Sequence, residues 1–307
     1  MAKLKRIHFI KAFGLIGALL CLAAFIHEPS FPTPDKLFVF LLFVFMAFDN
    51  AWEFTKRLLP FVVVILIYES FRSVADQLNK HVHYGFAPHA DKLLFGNLPT
   101  VYLQNWLWTG HVRWYDILLY IPYMMFFIIP FFVAILVWKT RDSYYWQVIT
   151  AYSLLFFAGY LTFLLLPTAP PWLASQNHYI QPITRVSSYV WSAMGIHNFP
   201  SVYNHISPNP VAAFPSLHAG VSTLFSLMIF KLYGRRWGAL SLLYPTLIYI
   251  GVVYEGEHYA IDVIAGIVYA VGAYLTAPYV SRELEKLSCW LRLKYSSSTR
   301  SVSKSAR

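Results

Sequence analysis

Glu257-His-Tyr-Ala-Ile-Asp262, at the head of an apolar run that continues to about residue 280, is the stretch from which this chain is read. It sets His258 and Asp262 four residues apart, hence on one face of a helix, where hydrocarbon begins. An ionisable residue left unpaired in or beside a membrane span costs several kcal/mol, so such residues read first as functional. Forty residues upstream, Phe214-Pro-Ser-Leu-His218 opens another apolar run in the same manner. Taken singly, a His-x-x-x-Asp pair also suits a polar pair that stabilises a helix end, and Pro-Ser-Leu-His suits a helix start with an incidental histidine. Two such elements meeting at one edge of a membrane suggest phosphoryl-transfer chemistry.

Composition supports the membrane reading. Of 307 residues, 58% are hydrophobic and only 12% charged, against roughly 25% charged in soluble domains. The formal net charge of +10 is no nucleic-acid footprint, because the basic residues form short clusters between apolar runs rather than one stripe. Cys21 and Cys289 stand too far apart across the bilayer for a disulfide framework. Apolar runs at about 12–27, 37–52, 58–72, 116–138, 146–166, 214–232, 237–254 and 258–280 predict an all-α polytopic membrane bundle of about eight transmembrane helices. The second and third runs flank Asp49, Glu53, Lys56 and Arg57 and suit a tilted hairpin. The first follows Lys3, Lys5, Arg6 and Lys11 and has the length of a signal-peptide core, but no small-residue cleavage site follows, so a retained helix is expected.

With eight spans, 18 of the 24 Lys and Arg residues fall on one side. Lys36, Arg72, Lys80, Lys92, Arg113 and Arg185 fall on the other. Basic residues favour the cytoplasmic face, so both termini are expected there. The chain then divides into N-terminal transmembrane helices (1–72), a non-cytoplasmic interfacial segment (73–115), a catalytic membrane domain (116–280) and a basic cytoplasmic tail (281–307). The segment 73–115 carries His81, His83, His89, Trp106 and Trp108; without Cys or paired carboxylates at ligand spacing, its histidines read as solvated or interfacial rather than metal-binding. A second outer loop, 167–213, is rich in Pro, Ser and Asn and is expected to cap the site. Leu284, Leu287 and Leu291 suit a short helix on the anionic inner leaflet, with disorder expected beyond Tyr295.

Under this topology Leu165-Leu-Pro-Thr-Ala-Pro-Pro-Trp172, Pro215-Ser-Leu-His218 and Glu257-His-Tyr-Ala-Ile-Asp262 reach the same outer face. The charge count used none of them, so their agreement independently supports a shared site. The Asp262 carboxylate could accept a hydrogen bond from one ring nitrogen of His258, leaving the other to attack. Pro215 suits the first turn of a helix, whose N-terminus binds phosphate readily. Ser216 can add a hydroxyl donor, and His218 could protonate a leaving oxygen.

Together these residues resemble the second and third signature motifs of the type 2 phosphatidic acid phosphatase superfamily. Pro167-Thr-Ala-Pro-Pro171 is similar to the proline-rich motif of its inositol phosphorylceramide synthase branch. The resemblance spans roughly 90–280 and implies a helical core of the lipid phosphatase type. It also implies that His258 attacks phosphorus to form a phosphohistidine, that Asp262 orients that imidazole, and that His218 acts as acid and then base. Ser216, Pro215 and backbone N–H groups nearby would hold phosphate, with Thr168 and Pro170 in the proline-rich segment. Such sites need no metal or other cofactor.

The departures bear on substrate. The superfamily's phosphatases carry a Lys-x6-Arg-Pro motif and a Ser-Arg pair before the nucleophile, whereas here Gly251 and Val252 stand seven and six residues before His258. A phosphate monoester dianion would lack its usual cationic partners, while a phosphodiester carries one charge. That favours a head-group transferase, plausible for phosphoinositol, acting between a phospholipid donor and a lipid acceptor within the bilayer. Hydrolysis of lipid phosphates or polyprenyl diphosphates is the alternative, and a transporter or lipid-binding protein the third. Glu255 and Glu257 could repel a second phosphate charge and accept hydrogen bonds from polyol hydroxyls, or be solvated loop acids. Arg185 is the expected mobile phosphate partner. The compact chain with its basic tail points to a bacterial plasma membrane.

Overall fold

The computed structural model describes residues 2–30, 32–196 and 209–305. In chain order its helices are α1 (Ala2–His27), α2 (Pro34–Ala47), α3 (Ala51–Leu78), α4 (Phe86–Phe95), α5 (Pro99–Leu107), α6 (Trp114–Met124), α7 (Ile128–Thr140), α8 (Tyr145–Leu165), α9 (Pro171–Gln176), α10 (Val186–Ala193), α11 (Leu217–Tyr233), α12 (Arg235–Ser241), α13 (Leu243–Tyr254) and α14 (Ala260–Ser305). Among the described residues there is no strand, and the protein is an all-α integral membrane bundle.

Every apolar run is helical, though not every helix is long. Among the described residues, four helices are long and apolar enough to cross a membrane, and five if the pair α6–α7, bent by 55°, forms one span. Against the expected eight, α2 with 14 residues and α11 with 17 fall short of the roughly 20 a bilayer requires. The expected domain boundaries at 72/73 and 280/281 fall inside α3 and α14. The tail expected to be disordered beyond Tyr295 continues α14 to Ser305. The two segments expected on the outer side carry α4 and α5, then α9 and α10, while 197–208 of the second lie outside the described residues.

The core follows from a stripe on α3. Phe54, Leu58, Phe61, Ile65 and Tyr68, spaced alternately by four and three, are all buried. This is the spacing that keeps one helix face against a neighbour. That neighbour is α8, where Tyr152 and Phe156 meet Phe61 and Tyr68 at ring-centroid distances of 6.3 and 5.1 Å. α8 packs in turn on α14, and α14 on α11. α11 and α14 approach closely because α14 has Gly266 where they cross: a Cβ there would overlap the Ser216 carbonyl oxygen.

The bend between α6 and α7 shapes the interior. Pro122 removes a backbone donor from α6, and the Met125 N–H turns to the Pro122 carbonyl at 3.2 Å. The break delivers Tyr123, Phe126 and Phe127 to the interior cavity. At one end of the bundle Arg57 pairs with Asp142 at 3.1 Å, and the Thr140 and Tyr233 hydroxyls meet at 2.6 Å. These contacts gather residues that charge counting places on one side. The motifs lie at the opposite end.

Candidate active site

The floor of the site is three short extended segments laid side by side. The His83 N–H donates to the Pro167 carbonyl at 2.8 Å, and the Ala169 N–H to the His83 carbonyl at 3.2 Å. On the other flank of the proline-rich segment, the Thr168 N–H donates to Val211 at 2.8 Å and the Ala213 N–H to Thr168 at 3.2 Å. These bonds immobilise Ala213. Its carbonyl then accepts from Nδ1 of His258 at 2.9 Å. A carbonyl only accepts, so Nδ1 carries the proton and Nε2 of the neutral ring keeps its lone pair.

Asp262 does less for that ring than its spacing suggested. Its Oδ2 lies 3.6 Å from His258 Nδ1, beyond hydrogen-bond range, and accepts instead from the Tyr259 N–H at 2.8 Å. Asp91 of α4 completes this helix start. Its two oxygens accept from the Ala260 and Ile261 N–H groups at 3.0 and 2.8 Å. Two carboxylates thus satisfy three N–H groups at the head of α14, which favours negative charge there. Burial, with the Asp262 charge adding to it, pushes the Asp91 carboxyl up to about 6 despite the two amide bonds.

His218 enters from the first turn of α11. Its ring stacks on Tyr123 with centroids 4.0 Å apart and lies against Phe126 at 4.6 Å. The His218 and His258 ring centroids are 5.7 Å apart, and both rings line a cavity of about 680 Å³. Among the described residues neither His218 ring nitrogen nor Nε2 of His258 makes a hydrogen bond. Both are therefore available to a reacting group between them.

Two ion pairs flank the histidines in the same cavity. Nε and Nη2 of Arg185 donate to the two Glu257 oxygens at 2.8 and 3.3 Å, and Ser187 donates to the same carboxylate. The guanidinium stacks over Trp172 at 4.2 Å. Gln104 fixes the neighbouring backbone, accepting from the Thr184 N–H at 2.9 Å and donating to the Thr184 and Tyr254 carbonyls. On the other side, Nε of Arg72 donates to Glu69 at 3.0 Å.

The sequence-predicted residues divide accordingly. His218, His258, Pro170, Arg185 and Glu257 line the cavity. Asp262, Pro215, Ser216 and Thr168 are buried behind its wall. Ser216 caps α11, its hydroxyl accepting from the Ala219 N–H at 3.3 Å, and the Thr168 hydroxyl donates to Leu166 at 2.9 Å. Arg185, expected to be mobile, is held by Glu257 and Trp172. Neither glutamate beside the motif is a solvated loop acid: Glu257 is ion-paired, and Glu255 is fully buried with neither oxygen hydrogen-bonded among the described residues. Burial, with the nearby Glu257 and Asp116 charges, pushes the Glu255 carboxyl well above the usual range.

Sequence reasoning missed Arg72, Glu69, Asp91, Tyr123 and the Ala213 carbonyl. Arg72 and Glu69 did carry a signal, as charges inside an otherwise apolar run. A backbone carbonyl carries none.

Residues 90–276 match the PAP2 superfamily. The chain is similar to the phosphoinositol dihydroceramide synthase of Bacteroides thetaiotaomicron, 27% identical over 256 residues, covering 78% of this chain and 81% of that protein. It is also similar to the inositol phosphorylceramide synthase catalytic subunit AUR1 of Saccharomyces cerevisiae, 24% identical over 301 residues, covering 95% of this chain and 72% of that one. No solved structure matches it.

Proposed function

The chain belongs to the PAP2 superfamily, and we propose that within it this protein is a membrane phosphotransferase that moves a phosphoinositol head group from a glycerophospholipid to the hydroxyl of a ceramide-type lipid. The observation that carries this reading is the pair of cavity-facing histidines, 5.7 Å apart, with one locked by Ala213 into the tautomer that attacks through Nε2. The names of the two relatives supply the head group and acceptor class.

In the first displacement, His258 Nε2 forms a bond to phosphorus as the bond from phosphorus to the diacylglycerol oxygen breaks, and His218 gives that oxygen a proton. In the second, His218 takes the proton of the acceptor hydroxyl, whose oxygen bonds phosphorus as the phosphorus–nitrogen bond breaks. Asp262 acts as a nearby negative charge favouring the cationic phosphohistidine. Among the described residues, the two arginines lining the cavity each face a glutamate, so these charges nearly cancel, which suits a phosphodiester monoanion better than a monoester dianion. The site would then face the non-cytoplasmic side of a bacterial plasma membrane, with both termini inside.

The test incubates purified protein in mixed micelles with phosphatidylinositol labelled at phosphorus, with and without ceramide, beside His258→Ala and a phosphatidic acid control. Label in a new lipid only when ceramide is present, and lost in the variant, is the expected result. Phosphate released from phosphatidic acid regardless of acceptor would overturn it in favour of a phosphatase.

A further inference from the structure

The two histidines are held by different means. A backbone carbonyl fixes His258, whereas among the described residues no group hydrogen-bonds a ring nitrogen of His218. A reacting group displaced by about 1 Å loses on the order of 100-fold in rate, so a general acid needs its plane fixed. For His218 that task falls to something other than a hydrogen bond.

We propose that Tyr123 of α6, with Phe126 beside it, is the positioning residue for His218: the phenol face sets the plane of the imidazole and leaves both nitrogens, at the ring edge, to carry the proton. This rests on the reading of His258 and His218 as the transfer pair.

Three observations support it. The Tyr123 and His218 rings stack with centroids 4.0 Å apart and planes inclined by only 15°, and Phe126 closes on the same imidazole at 4.6 Å and 43°. Contact through ring faces leaves the in-plane lone pair and N–H of an imidazole untouched. The electron-rich face of a phenol ring also attracts a cation, which favours the imidazolium that delivers the proton. Second, Tyr123 is itself held. Tyr120, fully buried, stacks on it at 5.3 Å and 21°, and the Tyr244 hydroxyl of α13 donates to the carbonyl of the preceding Pro122 at 3.2 Å. Third, the break between α6 and α7 is what brings both rings to one side. There the Phe126 N–H turns to the Tyr123 carbonyl at 3.2 Å, a tightened turn in which residues three apart stand above one another. The 55° bend thus supplies an aromatic platform for the histidine of a different helix.

The experiment compares the full-length parent with Tyr123→Leu, Tyr123→Phe and His258→Ala in mixed micelles, measuring thermal unfolding and first-turnover rates with two donors. One is phosphatidylinositol; the other is its analogue with sulfur in place of the diacylglycerol oxygen bound to phosphorus. When His258 Nε2 displaces that sulfur, the thiolate leaves with the electron pair of the broken bond and has little need of a proton, so its release reports attack without the acid. Tyr123→Leu is expected to slow phosphatidylinositol about 10- to 100-fold and the sulfur analogue less than about threefold; a general loss of structure would slow both alike. Tyr123→Phe, which keeps the ring face, is expected to recover the phosphatidylinositol rate to within about fivefold of the parent. Equal losses on the two donors, no loss in Tyr123→Leu, or a Tyr123→Phe as slow as Tyr123→Leu, with His258→Ala inactive, overturns the proposal and spares the transferase reading. A fully active His258→Ala overturns both. Should Tyr123→Leu not fold, Phe126→Leu carries the test by the same comparison: a loss confined to phosphatidylinositol supports the proposal, and equal losses or none overturn it.

Discussion

His258 is oriented by the backbone of Ala213, whose carbonyl oxygen lies 2.9 Å from Nδ1, and not by the carboxylate four residues on: His258 lies just ahead of α14 while Asp262 sits in its first turn, so the two do not share the helix face that their spacing suggested. Asp262, at 3.6 Å, caps the turn that carries the histidine. The two residues that sequence spacing singles out lie near each other, but the bond that fixes the tautomer comes from a segment 45 residues away.

This arrangement predicts a graded response at Asp262. Asp262→Asn removes the charge beside the imidazole but keeps an oxygen for the Tyr259 N–H. We expect kcat to fall about 10- to 100-fold, well short of the roughly 10⁴-fold seen where a carboxylate holds the ring directly. Steady-state transfer rates measure this, and a loss as complete as that of His258→Ala would restore Asp262 as the orienting group.

Thr168 contributes through its backbone, which accepts from Ala213 and donates to Val211. Its hydroxyl points away, to the Leu166 carbonyl. Thr168→Val keeps both backbone bonds, so its KM for phosphatidylinositol is expected within about threefold of the parent, at a cost in stability of about 1 kcal/mol for the lost hydroxyl bond. A tenfold rise in KM without loss of stability would place Thr168 against substrate after all.

Gly266 sets the distance between α11, which carries His218, and α14, whose start follows His258 by two residues. A Cβ there meets the Ser216 carbonyl, which is backbone and cannot rotate aside. Gly266→Ala is expected to destabilise by about 1–3 kcal/mol, as overpacking does, and to lower kcat because His218 moves relative to His258. Thermal unfolding and transfer kinetics on one preparation test both parts, and a parent-like unfolding temperature would contradict the close approach.

Asp91 makes stability depend on pH. Its folded pKa, about 6, is raised above the ordinary 3.8, so the folded state holds a proton that the unfolded state has released. That contribution is complete below the unfolded value and is lost as pH rises through about 6. Asp91→Asn cannot titrate, and it leaves one of the Ala260 and Ile261 N–H groups without an acceptor. Its unfolding temperature should lie furthest below the parent's near pH 4, with the gap narrowing up to pH 7. Parallel curves from pH 4 to 7 would exclude Asp91 as the titrating group.

How much could be read in advance depended on the kind of interaction. Membrane class, the helical runs and the two histidines were legible, because hydrophobicity and helical periodicity are local properties and charged groups at hydrocarbon edges are rare. Arg72 was counted only as a charge on the outer side. Its place on the cavity emerges from the stripe Phe54 to Tyr68, which acquires a direction only once α8 is packed against it. Glu255 and Glu257 read alike in sequence, yet Glu257 is ion-paired by Arg185 and Glu255 is buried with no hydrogen bond on either oxygen among the described residues.

The sequence by itself determined an integral membrane helical bundle, its superfamily motifs and the histidine pair at one end, since each follows from residue type and short-range spacing. Only the tertiary structure decided which atoms meet: Ala213 with His258, Asp91 with the head of α14, Arg72 with the cavity. Each of these contacts joins segments distant in the chain, and two of them use backbone groups that every residue possesses. Their partners are chosen by packing, which no local pattern of side chains encodes.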